Sequence, residues 1–217
     1  HFALTIGLSA IWRSLGVEPQ AVVGHSQGEV GAAVVAGAIT LEEGAHIISV
    51  RSKLTRRVSG RGAMAAVSLS EEELIKKMSR FDNRLSIAVY NTSDSLVFSG
   101  DTAAVDELVS ELQSENVFAK KVRADYAAHS AHLDELVEEL RESLKSITPN
   151  KCSLPMYSSV TGELIDGATL TADYWAKNLR EPVRFDQAAA AMLRDGLGVF
   201  IEVSAHPVLM MPLTTLC

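Results

Sequence analysis

One short segment, Gly24-His25-Ser26-Gln27-Gly28, constrains this chain more than any other. The apolar, β-branched run 21–23 precedes it, and small residues follow it over 31–38. A buried strand that turns sharply into a helix would leave the Ser26 hydroxyl exposed on the turn, beside backbone N–H groups. Neighbours without side chains would relieve such a strained turn, which would explain both glycines. The pattern predicts a nucleophile elbow at Ser26, and a loop rich in Gly and Ser is the alternative.

Composition narrows the class of protein. The 217 residues are 47% hydrophobic, which suits one medium domain or a domain that carries a smaller insert. A net charge of −7 argues against a nucleic-acid binder, which needs a basic face. No apolar run is long enough to cross a bilayer, so no membrane contact is expected. The only cysteines, Cys152 and Cys217, form neither a disulfide framework nor a metal site, and they predict reduced thiols in the cytoplasm.

A long helix carries a charged residue on its apolar side. Thr40 and Glu43 form a capping-box pattern that predicts a helix from Leu41 to about Val58. Arg51 falls on the stripe of Ile47 and Leu54, which should face inward. A buried cation needs an anionic partner. Helical geometry alone favours a structural salt bridge, and the alternative is a clamp that binds a substrate carboxylate.

The pattern changes between residues 62 and 124. Strands and helices there should follow the order βαββαβ, with strands at 63–67, 85–89, 95–99 and 117–122 and helices at 70–80 and 101–115. This order is typical of a ferredoxin-like α+β unit. We therefore expect a small subdomain at 62–124, inserted into a larger α/β hydrolase-like subdomain with a parallel sheet at 1–61 and 125–217. The hinges should lie at 60–62 and 124–125.

Two loop histidines are candidate bases for Ser26. His129 stands just before Ser130, a natural N-cap, so it should lie in the loop that precedes a helix. His206 follows a predicted last buried strand at 199–203. An ordinary α/β-hydrolase order would use His206, with Asp186 or Asp195 as its partner. The alternative is a Ser26–His129 dyad whose imidazole is oriented by a backbone carbonyl, and periodicity does not choose between the two.

Several motifs occur together in a fixed order along the chain. They are Gly24-His25-Ser26-Gln27-Gly28-Glu29, Val50-Arg51-Ser52, Gly62-Ala63-Met64-Ala65, Tyr126-Ala127-Ala128-His129-Ser130, Tyr174-Trp175-x-x-Asn178-Leu179-Arg180-x-Pro182-Val183-Arg184-Phe185 and Val203-x-x-His206-Pro207-Val208-Leu209. Together they resemble the acyltransferase domain of modular type I polyketide synthases, over essentially the whole chain.

This resemblance implies a function and a mechanism. Ser26 would take a malonyl-type extender unit from coenzyme A and pass it to the phosphopantetheine thiol of an acyl carrier protein, with His129 as general base and then acid. Arg51 would bind the free carboxylate, which turns the clamp into the favoured interpretation. The N–H of Gln27 would be one oxyanion donor. No permanently bound cofactor or metal is implied, and the partners would be the carrier protein, the ketosynthase and other domains of one megasynthase.

The resemblance also bears on substrate choice, through residues expected to contact the acyl group. Tyr126-Ala127-Ala128-His129 looks like the Tyr-Ala-Ser-His motif of methylmalonyl-type domains, with Ala128 in place of Ser, and Gln27 also resembles that type. A small residue at Ala128 leaves room for an α-methyl group, although one methyl gives only about 1–3 kcal/mol of discrimination. His25 is a further expected substrate contact. Methylmalonyl is the predicted extender unit and malonyl the alternative.

Two other classes of function stay open on the sequence. Water could resolve the acyl-enzyme, which would make the protein a thioester hydrolase, or the chain could be a non-catalytic interaction module. The family's Gly-Gln-Gly loop, which supplies another oxyanion donor, is not found in this sequence. We therefore expect a segment shortened at its N-terminal side, with weak or no activity on its own.

Overall fold

The computed structural model describes residues 1–217, which form nine α-helices and eight strands. The helices are α1 Phe2–Ser14, α2 Gly28–Val35, α3 Leu41–Thr55, α4 Glu71–Met78, α5 Thr102–Ser114, α6 Asp134–Ser143, α7 Ala172–Arg180, α8 Phe185–Arg194 and α9 Met210–Leu216. The strands are β1 Val22–Val23, β2 Ala63–Val67, β3 Leu85–Tyr90, β4 Leu96–Gly100, β5 Ala119–Lys121, β6 Met156–Tyr157, β7 Leu164–Ile165 and β8 Val183–Arg184. Every helix is too short or too polar to span a bilayer.

A three-stranded sheet lies beneath the Ser26 motif. Its order is β1-β6-β7, with β1 parallel to β6 and β7 antiparallel to β6. Helices α2, α3, α6 and α7 supply a 19-residue core cluster around it, in which Trp175 and Leu140 are among the fully buried side chains. The predicted start of α3 is confirmed, because Thr40 and Glu43 form the complete capping box there. This layer carries the Ser26 motif directly after β1.

The second sheet is antiparallel except at one edge. Its order is β5-β2-β4-β3-β8, and β2 to β5 with α4 and α5 follow the predicted βαββαβ sequence. A 16-residue core cluster fills the space between these elements. The mixed α/β architecture with a ferredoxin-like unit agrees with the fold class that the sequence predicted.

Four elements differ from the sequence prediction, one of them being β7, which was not predicted. The expected strand at 199–203 is wrong, because Val199 is 91% exposed and the segment pairs with no strand. Strand β8 was not predicted, and it pairs in parallel with β3 through Val89 and Val183. Helix α9 was also missed. The β3–β8 pairing joins the second sheet to the segment that leads into α8.

A smaller core cluster lies between the two sheets. It contains Met64, Val89, Val97 and Val183 from the second sheet together with Ala128 and Phe185. We call these residues, with Ala88, Ala189 and Leu213, the seam cluster. The seam cluster places the loop that carries His129 against the second sheet.

Candidate active site

The Ser26 motif forms the predicted sharp turn between β1 and α2. Ser26 has a φ of 54°, in the left-handed region that non-glycine residues rarely adopt. A Cβ on Gly24 would lie 2.2 Å from the backbone nitrogen of Glu29, so only glycine fits there. The same explanation is wrong for Gly28, where a Cβ would meet nothing within 4 Å. One glycine therefore makes the turn possible, and the other has no steric role.

The structure brings Ser26 and His129 together. Ser26 Oγ lies 2.7 Å from His129 Nε2, and His129 Nδ1 lies 2.8 Å from the backbone oxygen of Glu181. Because a carbonyl oxygen only accepts, Nδ1 carries the proton and donates to Glu181, which leaves Nε2 to accept from the serine hydroxyl. This is the dyad with a carbonyl-oriented imidazole that the sequence left as one of two alternatives.

The surroundings keep the His129 imidazole neutral. The side chain is 3% exposed, and burial together with the positive charge of Arg51 lowers its pKa to about 3. An imidazole that is neutral at physiological pH is able to accept the serine proton.

Arg51 lies beside the same oxygen. Its Nη2 is 3.3 Å from Ser26 Oγ, its Nη1 donates to the amide oxygen of Asn178, and the residue is only 6% exposed. Burial lowers its pKa from the usual value. No carboxylate forms an ion pair with it, so the structural salt bridge that helical geometry favoured is wrong. A buried cation is left with a neutral partner and an accessible nucleophile.

Two residues behind the turn were not assigned a role from the sequence, although both stand in the motifs quoted above. Glu29 is fully buried, and it accepts hydrogen bonds from Ser159 N at 2.5 Å and Tyr174 Oη at 2.8 Å. Asn178 Nδ2 donates to Glu29 Oε2 at 2.6 Å and to the Ser26 carbonyl at 3.1 Å. Burial raises the pKa of Glu29 to about 7. The position of Glu29 after the glycine, at the start of α2, was the available signal.

His25, the residue before the nucleophile, faces the second sheet. Its Nε2 lies 3.2 Å from Asn91 Oδ1, and its ring packs against Phe185 with centroids 5.6 Å apart. Burial lowers its pKa, so the ring is neutral and donates to the amide oxygen. Asn91, which follows β3, was not identified from the sequence.

The loop with Tyr126 and Ala128 reaches the site because its backbone is held tightly. Ser99 Oγ donates to the Ala128 carbonyl at 2.7 Å, and a Cβ on Gly62 would lie 2.7 Å from Ala127 N. Ala128 is buried in the seam cluster, and Tyr126 is half-buried between that cluster and the large core. His129 itself has a φ of 55°, a second left-handed residue in the dyad.

The geometry contradicts the hydrolase-type alternative, in which His206 would be the base. His206 is exposed and its ring contacts neither aspartate. Asp186 forms an ion pair with Arg184, and Asp195 accepts a hydrogen bond from Tyr157 Oη. None of these groups reaches Ser26.

The backbone N–H of Gln27 is free to bind an oxyanion. It donates to no protein oxygen, and it lies at the N-terminal end of α2, where the helix dipole favours negative charge. No cluster of three or more His, Cys, Asp or Glu side chains could hold a metal ion. Around the Ser26 oxygen, the site offers an imidazole, a guanidinium and a backbone N–H donor.

Comparison with known proteins agrees with this arrangement. Residues 1–215 match the model of the acyl transferase domain family. Polyketide synthase GfsB of Streptomyces halstedii is 49% identical over 209 residues, which are 96% of this chain and 4% of that protein. Erythronolide synthase EryA3 of Saccharopolyspora erythraea is 46% identical over 209 residues, again 96% of this chain and 7% of that protein. The chain thus spans a small fraction of the length of these relatives.

Solved structures give the same result. The acyltransferase domain from module 8 of the salinomycin polyketide synthase is 38% identical with a TM-score of 0.95, over 98% of this chain and 50% of that one. A loading acyltransferase from the avermectin modular polyketide synthase is 38% identical with a TM-score of 0.96, over 99% of this chain and 69% of that one. The chain therefore belongs to the acyl transferase domain family, as its ordered motifs predicted.

Proposed function

We propose that this chain transfers a malonyl-type acyl group from coenzyme A to Ser26 and then to the phosphopantetheine thiol of an acyl carrier protein. One observation carries the proposal: a neutral imidazole at 2.7 Å and an unpaired, buried guanidinium at 3.3 Å converge on the Ser26 oxygen. The imidazole suits a serine nucleophile. The guanidinium suits a substrate that carries a carboxylate near the reacting carbonyl.

The reaction would proceed in two balanced halves. Ser26 Oγ attacks the thioester carbonyl while its proton moves to His129 Nε2, and the proton then goes to the departing thiolate of coenzyme A. In the second half His129 takes the proton of the carrier thiol, the thiolate attacks the Ser26 ester, and the serine regains a proton from His129. The Gln27 N–H would stabilise the oxyanion in both halves.

Arg51 would select the substrate class. A malonyl-type group keeps its carboxylate through the transfer, so the protein has to bind it as an anion. The guanidinium offers two or more donors, and a carboxylate would replace the weak contact with Ser26 Oγ by charge-assisted hydrogen bonds. That negative charge would also offset the field of Arg51 on His129 and make the imidazole a better base in the complex.

Within this class we propose methylmalonyl as the extender unit, with malonyl as the alternative. The small side chain of Ala128, which lies in the seam cluster with Tyr126 packed against that cluster, supports room for an α-methyl group. We propose an acyl carrier protein, a ketosynthase and further domains of one megasynthase as the partners, in the cytoplasm. Two relatives are named as a polyketide synthase and an erythronolide synthase, which supports a place in such an assembly.

Acylation of Ser26 tests the proposal directly. The full-length protein is incubated with methylmalonyl-, malonyl- or propionyl-coenzyme A, and peptide mass spectrometry locates the acyl group. Methylmalonyl should dominate on the Ser26 peptide, and Ser26→Ala should abolish it. Arg51→Ala should lose the two carboxylated acyl groups and retain or gain propionyl. An unchanged preference in Arg51→Ala would disprove the clamp.

Addition of an acyl carrier protein separates transfer from hydrolysis. Transfer predicts that the acyl group appears on the phosphopantetheine thiol. Release of free acid at the same rate with and without the carrier would instead assign a thioester hydrolase. Failure of Ser26 to take up any acyl group would favour a non-catalytic module.

A further inference from the structure

A buried cation and a buried carboxylate lie on opposite sides of one amide. Arg51 is almost fully buried without a carboxylate partner, and Glu29 is fully buried without a cationic one. Asn178, itself 1% exposed, contacts both. A guanidinium and a carboxyl group buried so close together usually pair directly, because each offsets the desolvation of the other. The inserted amide prevents that pairing.

Chemistry fixes the orientation of this amide. A guanidinium only donates, so Asn178 Oδ1 faces Arg51. The backbone oxygen of Ser26 only accepts, so Nδ2 faces Ser26 at 3.1 Å and also reaches Glu29 Oε2 at 2.6 Å. Each polar atom of the Asn178 side chain is thereby satisfied by a group of the site. Flipping the amide would break all three contacts.

Glu29 is in turn held on its far side. Ser159 N and Tyr174 Oη donate to its carboxyl group, and Tyr174 also contacts Ser158 Oγ at 2.6 Å. The Glu29 carboxyl therefore cannot swing towards Arg51 without losing these donors. The chain of contacts runs from Tyr174, in the 19-residue core cluster around the three-stranded sheet, through Glu29 and Asn178 to the Arg51 guanidinium.

We propose that Asn178 is a positioning residue: anchored by Glu29, it orients the Arg51 guanidinium beside Ser26 while keeping that cation unpaired for a substrate carboxylate. This inference rests on the proposed role of Arg51. A carboxylate at position 178 would orient the guanidinium equally well but would neutralise it. An amide orients the cation and leaves its charge to the substrate.

The substitution Asn178→Asp tests this distinction, because it changes charge with almost no change in shape. Its carboxylate would pair with Arg51 and compete with the substrate. We expect kcat/KM for acylation of Ser26 by methylmalonyl- and malonyl-coenzyme A to fall by about tenfold or more, the scale of one charge-assisted hydrogen bond, mainly through KM. Acylation by propionyl-coenzyme A, which lacks the carboxylate, should change far less.

Asn178→Ala is the second variant, in case the aspartate prevents folding. It frees the guanidinium and should also lower the ratio of malonyl-type to propionyl acylation. Asn150→Asp makes the same chemical change at an exposed position and should leave the ratio unchanged. Thermal melting and circular dichroism of the full-length protein would establish which variants fold.

The outcomes separate this inference from the proposed function. If folded Asn178 variants keep the wild-type ratio, or lose all three substrates equally, Asn178 is merely structural and the inference is overturned. If Arg51→Ala nevertheless lowers the ratio of malonyl-type to propionyl acylation, the proposed function is still supported. If Arg51→Ala also keeps the ratio, the proposed clamp fails and the inference fails with it.

Discussion

His129 owes its neutral state to two surroundings that can be changed separately. Burial and the charge of Arg51 lower its pKa to about 3, against an ordinary value of 6.5. We expect the imidazole signals of His129 in histidine-labelled protein to show no titration between pH 5 and pH 8. Because Arg51 disfavours the charged imidazole, Arg51→Ala should raise the midpoint. A wild-type midpoint between 6 and 7 would contradict this account.

The two glycines of the turn provide a matched pair of substitutions. Gly24→Ala forces a Cβ against the Glu29 backbone and should destabilise the protein by about 1–3 kcal/mol or more. Gly28→Ala meets no atom at the start of α2 and should stabilise it by about 0.5–1 kcal/mol. Denaturant unfolding measures both changes. Equal losses of stability would show that the backbone at Gly28 has a requirement of its own.

The sequence predicted that Ser26, Arg51 and His129 lie together, and it missed the residues behind them. Ser26, Arg51 and His129 each carry a local signal: a motif, a charge on an apolar stripe, and a loop position before a cap. Glu29 and Asn178 are 149 positions apart, and neither has a local reason to be buried and polar. Only the folded chain brings their side chains together.

The loop that presents His129 depends on a close approach to the start of β2. A Cβ on Gly62 would lie 2.7 Å from Ala127 N and 2.8 Å from Ala127 Cβ. Gly62→Ala should therefore displace the loop and reduce the rate of Ser26 acylation by roughly tenfold or more. Displacement of a catalytic group by about 1 Å can reduce a reaction rate by about 100-fold. Gly7→Ala, in the open on α1, is the matched control. Normal acylation by Gly62→Ala would show that the loop adjusts without loss.

Elements with strong local signals were predicted well, and short pairing elements were not. The capping box predicted at Thr40 is formed, and α5 at Thr102–Ser114 lies within the predicted 101–115. The segment 199–203 has the apolar composition of a strand but no neighbour to pair with. Strand β8 has only two residues, and its pairing with β3 defines it. Pairing is a long-range property that periodicity does not encode.

The division of the whole molecule into two units remains a proposal. We propose that 62–124 behaves as one unit and that 1–61 with 125–217 behaves as another. The separate 16-residue and 19-residue core clusters support this division. The seam cluster and the β3–β8 pairing connect the two units.

Hydrogen exchange would test this division through a pair of core substitutions. Leu108 belongs to the 16-residue core cluster and Leu140 to the 19-residue core cluster, and both side chains are buried. Replacement of either by alanine should cost about 2–5 kcal/mol. Leu108→Ala should reduce amide protection mainly within 62–124, and Leu140→Ala mainly outside it. Uniform loss of protection in both variants would identify a single cooperative unit.

The seam cluster has a consequence for how such a molecule can diversify. Ser26, Arg51, His129 and Asn178 all lie outside residues 62–124, whereas Asn91, the partner of His25, lies within them, directly after β3 of the second sheet. Replacing side chains of that sheet should reshape the surroundings of His25 while the distances among Ser26, Arg51, His129 and Asn178 stay the same. If the proposed function holds, we expect substitutions in that sheet to change the preference for acyl groups without changing the transfer chemistry.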